Sequence, residues 1–97
     1  MKEKEAYQQK VQIKLDDFNV EIEELIAIAE SVDTDTKLEY YEEIEELQIL
    51  QNRIRQKLEN LRQAGSDAWE DLVTDIDSAM ETLSNSIDTA SARFNRY

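Results

Sequence analysis

The residues whose spacing best suits chemistry are the carboxylates of one short segment. Glu39, Glu42, Glu43, Glu45 and Glu46 stand at helical spacings of three and four residues, the arrangement with which di-iron helical bundles hold their metal ions. Those sites also need a Glu-x-x-His motif on facing helices, and the chain has no His. We therefore interpret this segment as a solvated acidic face, and we expect no metal and no cofactor.

Residue types exclude several other kinds of site. Without His or Cys, the chain has no Ser-His-Asp or Cys-His arrangement and no typical zinc site, and its single Gly cannot supply a phosphate-binding loop. Asp33 and Asp35 begin like a calcium-binding loop, but Leu38 stands where such a loop requires Gly. We assign no catalytic residue and expect that the protein is not an enzyme.

The composition predicts an all-helical chain. Its 97 residues suit one small domain, Pro is absent, and strong helix formers are abundant. Because Pro and Gly are the usual interruptions of regular structure, long uninterrupted helices are expected.

Three apolar series in the sequence have the spacing of a coiled-coil core. Spacings of four and three alternate along each series, which places its members on one helical face. The second series contains one polar member, Gln51, and the third is predicted to shift phase by a stutter near Leu72. The three series are Val11, Leu15, Phe18, Ile22, Leu25, Ala29 and Val32; Tyr40, Ile44, Leu47, Gln51, Ile54, Leu58 and Leu61; and Trp69, Leu72, Ile76, Met80, Leu83, Ile87, Ala90, Phe94 and Tyr97.

The boundaries of the helices follow from local signals. The single domain, residues 1–97, is predicted to contain three helices of similar length, over residues 4–31, 37–64 and 67–96. Gly65 is suited to the left-handed conformation that closes a helix, so a turn is predicted at 64–66. Asp67, followed three residues later by Glu70, matches a capping box at the start of the third helix.

Residues 31–36 leave two architectures open. All six have below-average helix propensity, and Thr36 with Glu39 matches another capping box, which favours a bend and an antiparallel three-helix coiled-coil bundle. The apolar phase nevertheless continues through Val32, Thr36 and Tyr40, which favours one continuous helix. Two such chains would pair as a hinge-swapped homodimer with one long and one shorter helix each.

The charge distribution predicts how the third helix packs. With 23 acidic and 11 basic residues, the net charge is −12, which opposes binding to nucleic acid and to anionic lipid. The third helix is expected to set its acidic start beside the basic ends of the other two helices, and Arg93 and Arg96 beside their acidic middle. The net-basic segments are 1–14 and 47–64, and the net-acidic segments are 15–46 and 65–92.

Two absences favour a cytoplasmic protein. The chain contains no Cys, so it forms no disulfide, which fits a reducing compartment. It also has no run of about 18 apolar residues, so no membrane span is expected.

Three stretches of the sequence resemble a group of small bacterial coiled-coil-domain proteins. These are EYYEEIEEL at 39–47, AGSDAWEDL at 64–72 and ASARF at 90–94. The resemblance extends over nearly the whole chain and implies an α-helical coiled-coil fold. It implies no activity and no functional residues.

The first helix carries a second apolar line, opposite its inward series. Ile13, Val20 and Ala27 repeat every seven residues where a solitary bundle would expose polar side chains. Such a line is a candidate protein contact. Trp69, at an inward position, is predicted to be a core residue instead.

The sequence thus predicts a non-enzymatic coiled-coil module with a structural or protein-interaction role. The protein partner is left open, as is self-association into a homodimer. Two alternatives are an amphipathic lipid-associated protein and an acidic mimic of nucleic acid, the latter suggested by the charge of the two acidic segments.

Overall fold

The computed structural model describes residues 2–95, and Arg96 and Tyr97, with the packing predicted for them, lie outside that range. It contains three helices and, within those residues, no strand, which confirms the predicted all-α fold. The helices are α1 (Lys2–Glu30), α2 (Thr34–Gln63) and α3 (Ser66–Phe94).

The helices form an up-down-up bundle with overall dimensions of 50 × 18 × 17 Å. Tyr7, near the start of α1, reaches the start of α3, where its hydroxyl lies 3.3 Å from the Val73 carbonyl oxygen. At the other end, the ring of Tyr40 in α2 stacks on that of Phe94 in α3 with centroids 3.7 Å apart. The chain therefore bends between α1 and α2, and all three helices pack together within one chain.

The inward residues of α1 and α2 form the core as predicted. Every member of the α2 series is buried, and in the first series only Val32, which lies beyond the end of α1, is half-buried. The buried residues of these two helices are Val11, Leu15, Phe18, Ile22, Leu25 and Ala29, with Tyr40, Ile44, Leu47, Gln51, Ile54, Leu58 and Leu61.

The α3 helix buries its second half more deeply than its first. Its fully buried residues are Ile76, Leu83, Ile87, Ala90 and Phe94. Trp69, Leu72 and Met80 pack against the core but remain half-buried. Val73 also packs there, and a series running through Val73 keeps the alternating spacing without the predicted stutter.

Gln51 is the one buried polar side chain among the described residues, with 3% of its surface exposed. Its Nε2 lies 3.5 Å from the Leu15 carbonyl oxygen, at the outer limit of a hydrogen bond. A weakly bonded amide in an apolar core stabilises little, although a single buried polar residue can fix the register of packed helices.

Replacing this amide should therefore stabilise the bundle. We expect Gln51→Leu to raise the unfolding free energy by about 1 kcal/mol, because Leu is apolar and suits the core. Removing the amide leaves no unsatisfied partner, since the Leu15 carbonyl oxygen lies inside α1 and accepts a backbone hydrogen bond of that helix. Urea denaturation measures the change, with Gln48→Leu as the exposed control on the same helix. A variant less stable than the parent would show that the Gln51 contact is stronger than its length indicates.

The bend occupies three residues, 31–33, and Asp33 caps the helix that follows. Its Oδ1 accepts a hydrogen bond of 2.9 Å from the Thr36 backbone N–H. The cap prediction at Thr36 and Glu39 is therefore wrong, since Thr36 lies inside the first turn of α2 and Asp33 is the cap.

Hydrogen bonds from the Thr36 side chain and backbone lower the pKa of the Asp33 carboxyl. Because its pKa is lowered, Asp33 stabilises the fold above its unfolded-state pKa and loses that effect as the pH falls through its folded-state pKa.

The connection between α2 and α3 consists of Ala64 and Gly65, both with extended backbone. Gly65 has φ −76° and ψ 172°, so the predicted left-handed closure is wrong. Gly65 is instead the N-cap of α3, and its carbonyl oxygen accepts from the Ala68 N–H at 3.2 Å. Asp67 lies within the first turn rather than at the cap, where its charge favours the positive end of the helix dipole.

Candidate protein contact surface

The outward line predicted on α1 lies on the surface of the bundle. Ile13 is 61% exposed and Val20 is 54% exposed, and Ala27 is exposed as well. Residues seven apart differ by only about 20° around a straight helix, so the three side chains follow one shallow line along α1. We call Ile13, Val20 and Ala27 the α1 contact strip.

Carboxylates border the α1 contact strip on both sides. Asp16, Asp17, Glu23 and Glu24 are exposed and stand three or four residues from Val20, a separation that places them beside it on the helix surface. Asp16 accepts a hydrogen bond of 3.1 Å from Gln12. None of the four forms an ion pair with another residue in the range 2–95. The strip is therefore an apolar line with carboxylates, unpaired within that range, on both sides of Val20.

The acidic segment of α2 forms a different feature. Glu39, Glu42, Glu43 and Glu46 line a shallow groove with Arg93 of α3, and Glu45 is not among the lining residues. Arg93 Nη1 donates to Glu43 Oε1 at 3.0 Å, which confirms the predicted approach of Arg93 to the net-acidic segment 15–46. Within the described residues, no three acidic side chains are grouped so that they could hold a metal ion.

The predicted approach of the acidic start of α3 to the basic end of α2 is also confirmed. Lys57 of α2 forms an ion pair with Asp75 of α3. Both side chains are partly exposed, so this pair contributes modestly to stability and mainly favours one alignment of the two helices.

Trp69 lies in an aromatic cluster where α1 and α3 begin. Its ring packs edge-on against Tyr7 with centroids 5.8 Å apart, and Lys4 Nζ lies 5.1 Å from the ring centroid. The Tyr7 hydroxyl donates to Asp77 Oδ1 at 2.7 Å, and partial burial followed by this carboxylate raises the pKa of Tyr7 well above its usual value. The core prediction for Trp69 holds in part, since its ring packs on the core but is half-buried.

Glu21 of α1 is placed unfavourably for a charged group. Partial burial is the largest cause that raises the pKa of its carboxyl, followed by repulsion from Asp88 of α3 and from Glu24 and Asp17 of α1, against a weaker opposing effect of Lys14. The repulsion between Glu21 and Asp88 could not be predicted from the sequence, because it depends on the alignment of α1 with α3.

The raised pKa gives a pH-dependent prediction. Ionised Glu21 destabilises the fold, so its contribution to stability is greatest below the unfolded-state pKa and is lost as the pH rises through the folded-state pKa. We expect Glu21→Gln to raise the melting temperature at pH 7, with the gain disappearing below about pH 4. Glu81→Gln, which removes an exposed carboxylate on α3, is the control. Equal gains for both variants would show that only net charge matters.

Comparisons of the chain with protein-family models, with curated proteins and with solved structures give no match. The resemblance to bacterial coiled-coil-domain proteins therefore stays a prediction. No helix within residues 2–95 combines the length and the apolar character needed to cross a membrane. Fold and surface together define the chain as a three-helix bundle with an exposed apolar strip on its first helix.

Proposed function

We propose that the protein is a non-enzymatic coiled-coil interaction module that presents the α1 contact strip to another protein. One observation carries this proposal. Six inward apolar residues of α1 are buried in the core, and other α1 side chains pack at its edge, while Ile13 and Val20 stay more than half exposed. The strip is therefore additional to what folding requires.

The regular spacing of the strip supports a helical contact. Two helices pack along lines of side chains, and a line repeated every seven residues remains in contact with a partner over several turns. Isolated surface hydrophobes are ordinary, but exposed apolar residues aligned along one helix are typical of helix-in-groove and helix-on-helix recognition.

The bordering carboxylates disfavour the lipid-associated alternative. Helices that lie on membrane surfaces favour Lys and Arg on their polar face, whereas the α1 contact strip is bordered mainly by Asp and Glu. Flotation with anionic liposomes tests the lipid alternative, and co-flotation of the protein would favour it.

We further propose a cytoplasmic location, because a chain without Cys forms no disulfide and suits a reducing compartment.

The α1 contact strip can be altered without disturbing the core. We expect Ile13→Glu combined with Val20→Lys to change the unfolding free energy by less than about 0.5 kcal/mol, because both side chains are largely in water. The same variant should lose the partner in quantitative affinity capture from the native cells.

The matched control is Ile49→Glu, which changes a side chain 46% exposed on α2. This variant should keep the partner. A large loss of stability in the Ile13 and Val20 variant would show that the strip belongs to the core. Retention of every partner by that variant would contradict the proposed function.

A further inference from the structure

The charges around the α1 contact strip restrict what can cover it. Asp16 and Asp17 stand four and three residues before Val20, and Glu23 and Glu24 stand three and four residues after it. All four are exposed and without an ion pair to any other residue of the described range. A partner that covers Val20 must bring positive charge or leave these carboxylates facing an uncompensated surface.

A second copy of the chain is a poor occupant. An antiparallel pair of α1 helices centred on Val20 would set Asp16 of one copy against Glu24 of the other, and Asp17 against Glu23. A parallel pair would set each carboxylate against its own counterpart. Both arrangements oppose like charges, and each chain already carries a net charge of −12.

The shape of the α1 contact strip indicates a helical occupant. From Ile13 to Ala27 the line covers 15 residues of regular helix, a rise of about 21 Å. A helix of roughly 15 to 20 residues has that length, and its own apolar residues at spacings of three and four can follow the line.

We propose that the α1 contact strip binds a basic amphipathic helix of a partner protein, an inference that rests on the proposed function. The apolar face of that helix packs on Ile13, Val20 and Ala27. Lys or Arg residues beside that face pair with the four carboxylates. Pairing along both borders fixes the rotation of the partner helix about its axis, and apolar contact along the strip supplies the attraction that salt does not screen.

The distribution of charge along α1 also predicts which part of the partner helix is most basic. Lys10 is exposed and stands three residues before Ile13, so the strip is less acidic at this end. The part of the partner helix that covers Val20 and Ala27 should be the most basic. The part that extends beyond Ile13 toward Lys10 should be less basic.

Three synthetic helical peptides of equal length test the proposal with the full chain. The first has an apolar stripe bordered by Lys, the second has the same stripe bordered by Glu, and the third has the composition of the first in scrambled order. Titration calorimetry should show that the first binds at least about tenfold more tightly than the second. Its affinity should fall as salt is raised, and the scrambled peptide should not bind.

Variants of the chain complete the experiment. Ile13→Glu with Val20→Lys should abolish binding of the Lys-bordered peptide, and Ile49→Glu should leave it unchanged. The quadruple variant Asp16→Lys/Asp17→Lys/Glu23→Lys/Glu24→Lys, called the four-Lys variant, should reverse the preference and bind the Glu-bordered peptide more tightly. The proposal is overturned by equal binding of the first two peptides, by equal binding of the scrambled peptide, or by absence of binding.

The outcomes separate this proposal from the function on which it rests. If a native partner is lost with the Ile13 and Val20 variant but retained by the four-Lys variant, the contact function stands and the basic helix is wrong. If the partner is retained by both variants, the proposed function itself fails.

Discussion

Phe94→Ala is expected to lower the unfolding free energy by roughly 3 to 5 kcal/mol, the cost of removing a large buried aromatic side chain. Phe94 is 1% exposed, and its ring stacks on Tyr40 with an interplanar angle of 11°. The stack joins the start of α2 to the end of α3, so its loss weakens the packing of both helices at this end of the bundle. Such a cost is a large fraction of the stability of a small domain.

Trp69→Ala is the informative comparison, because Trp is the larger side chain but lies in the less buried end of the bundle. Its half-buried ring, with contacts to Tyr7 and Lys4, should contribute about half as much, roughly 1.5 to 2.5 kcal/mol. Chemical denaturation of both variants gives the order directly. A larger loss of stability for Trp69→Ala than for Phe94→Ala would contradict the deeper burial of the second half of α3.

Removing the bend should convert the bundle into a dimer. Replacing Asp33, Thr34, Asp35 and Thr36 by Ala deletes the cap of α2 and substitutes the strongest helix former at four successive positions. A continuous helix through this segment separates α1 from its own α2, and the same core contacts then form between two chains. Light scattering should report twice the mass of the parent.

The control for the bend variant is Thr74→Ala with Thr82→Ala, which raises helix propensity inside α3, away from the bend. This double variant should keep the mass of the parent. An unchanged mass for the bend variant would show that Asp33 and its neighbours do not control the choice between the two architectures.

The fold was predictable because its core is encoded by spacing alone. Alternation of four and three residues places Leu15, Ile22 and Ile54 on inward faces whatever their detailed contacts, and all three are buried. The absence of Pro removed competing interruptions. The approach of Arg93 to the acidic part of the chain was also predictable, because charge sign by segment indicates how antiparallel helices align, although its particular partner Glu43 was not.

The helix ends were less predictable, because several residues compete for the same role. Asp33, Thr34 and Thr36 are all good N-cap residues. The packing of α2 on α1 decides at which residue α2 begins, and Asp33 is the residue at that position. Gly65 gave a misleading signal of a different kind. Its permissive backbone allows a left-handed conformation, but the short extended connection to α3 does not need one.

The α1 contact strip was predictable for the same reason as the core, since the outward face of α1 follows once the inward face is known. Its exposure shows that the bundle does not use these side chains. Contacts between helices were not predictable at the level of single residues. The effect of Asp88 on Glu21 and the hydrogen bond from Tyr7 to Asp77 depend on the alignment of α1 with α3, which a sequence period leaves free.

The most direct test of the bundle is the contact between α1 and α3 within one chain. The Tyr7 hydroxyl lies 2.7 Å from Asp77 Oδ1, and the natural sequence contains no Cys, so the Tyr7→Cys/Asp77→Cys variant has two unique thiols. A short bis-maleimide should join the two thiols within each chain, and a denaturing gel should show a cross-linked species of monomer mass. Covalent dimers as the main product at low protein concentration would contradict the closed bundle and establish the hinge-swapped arrangement.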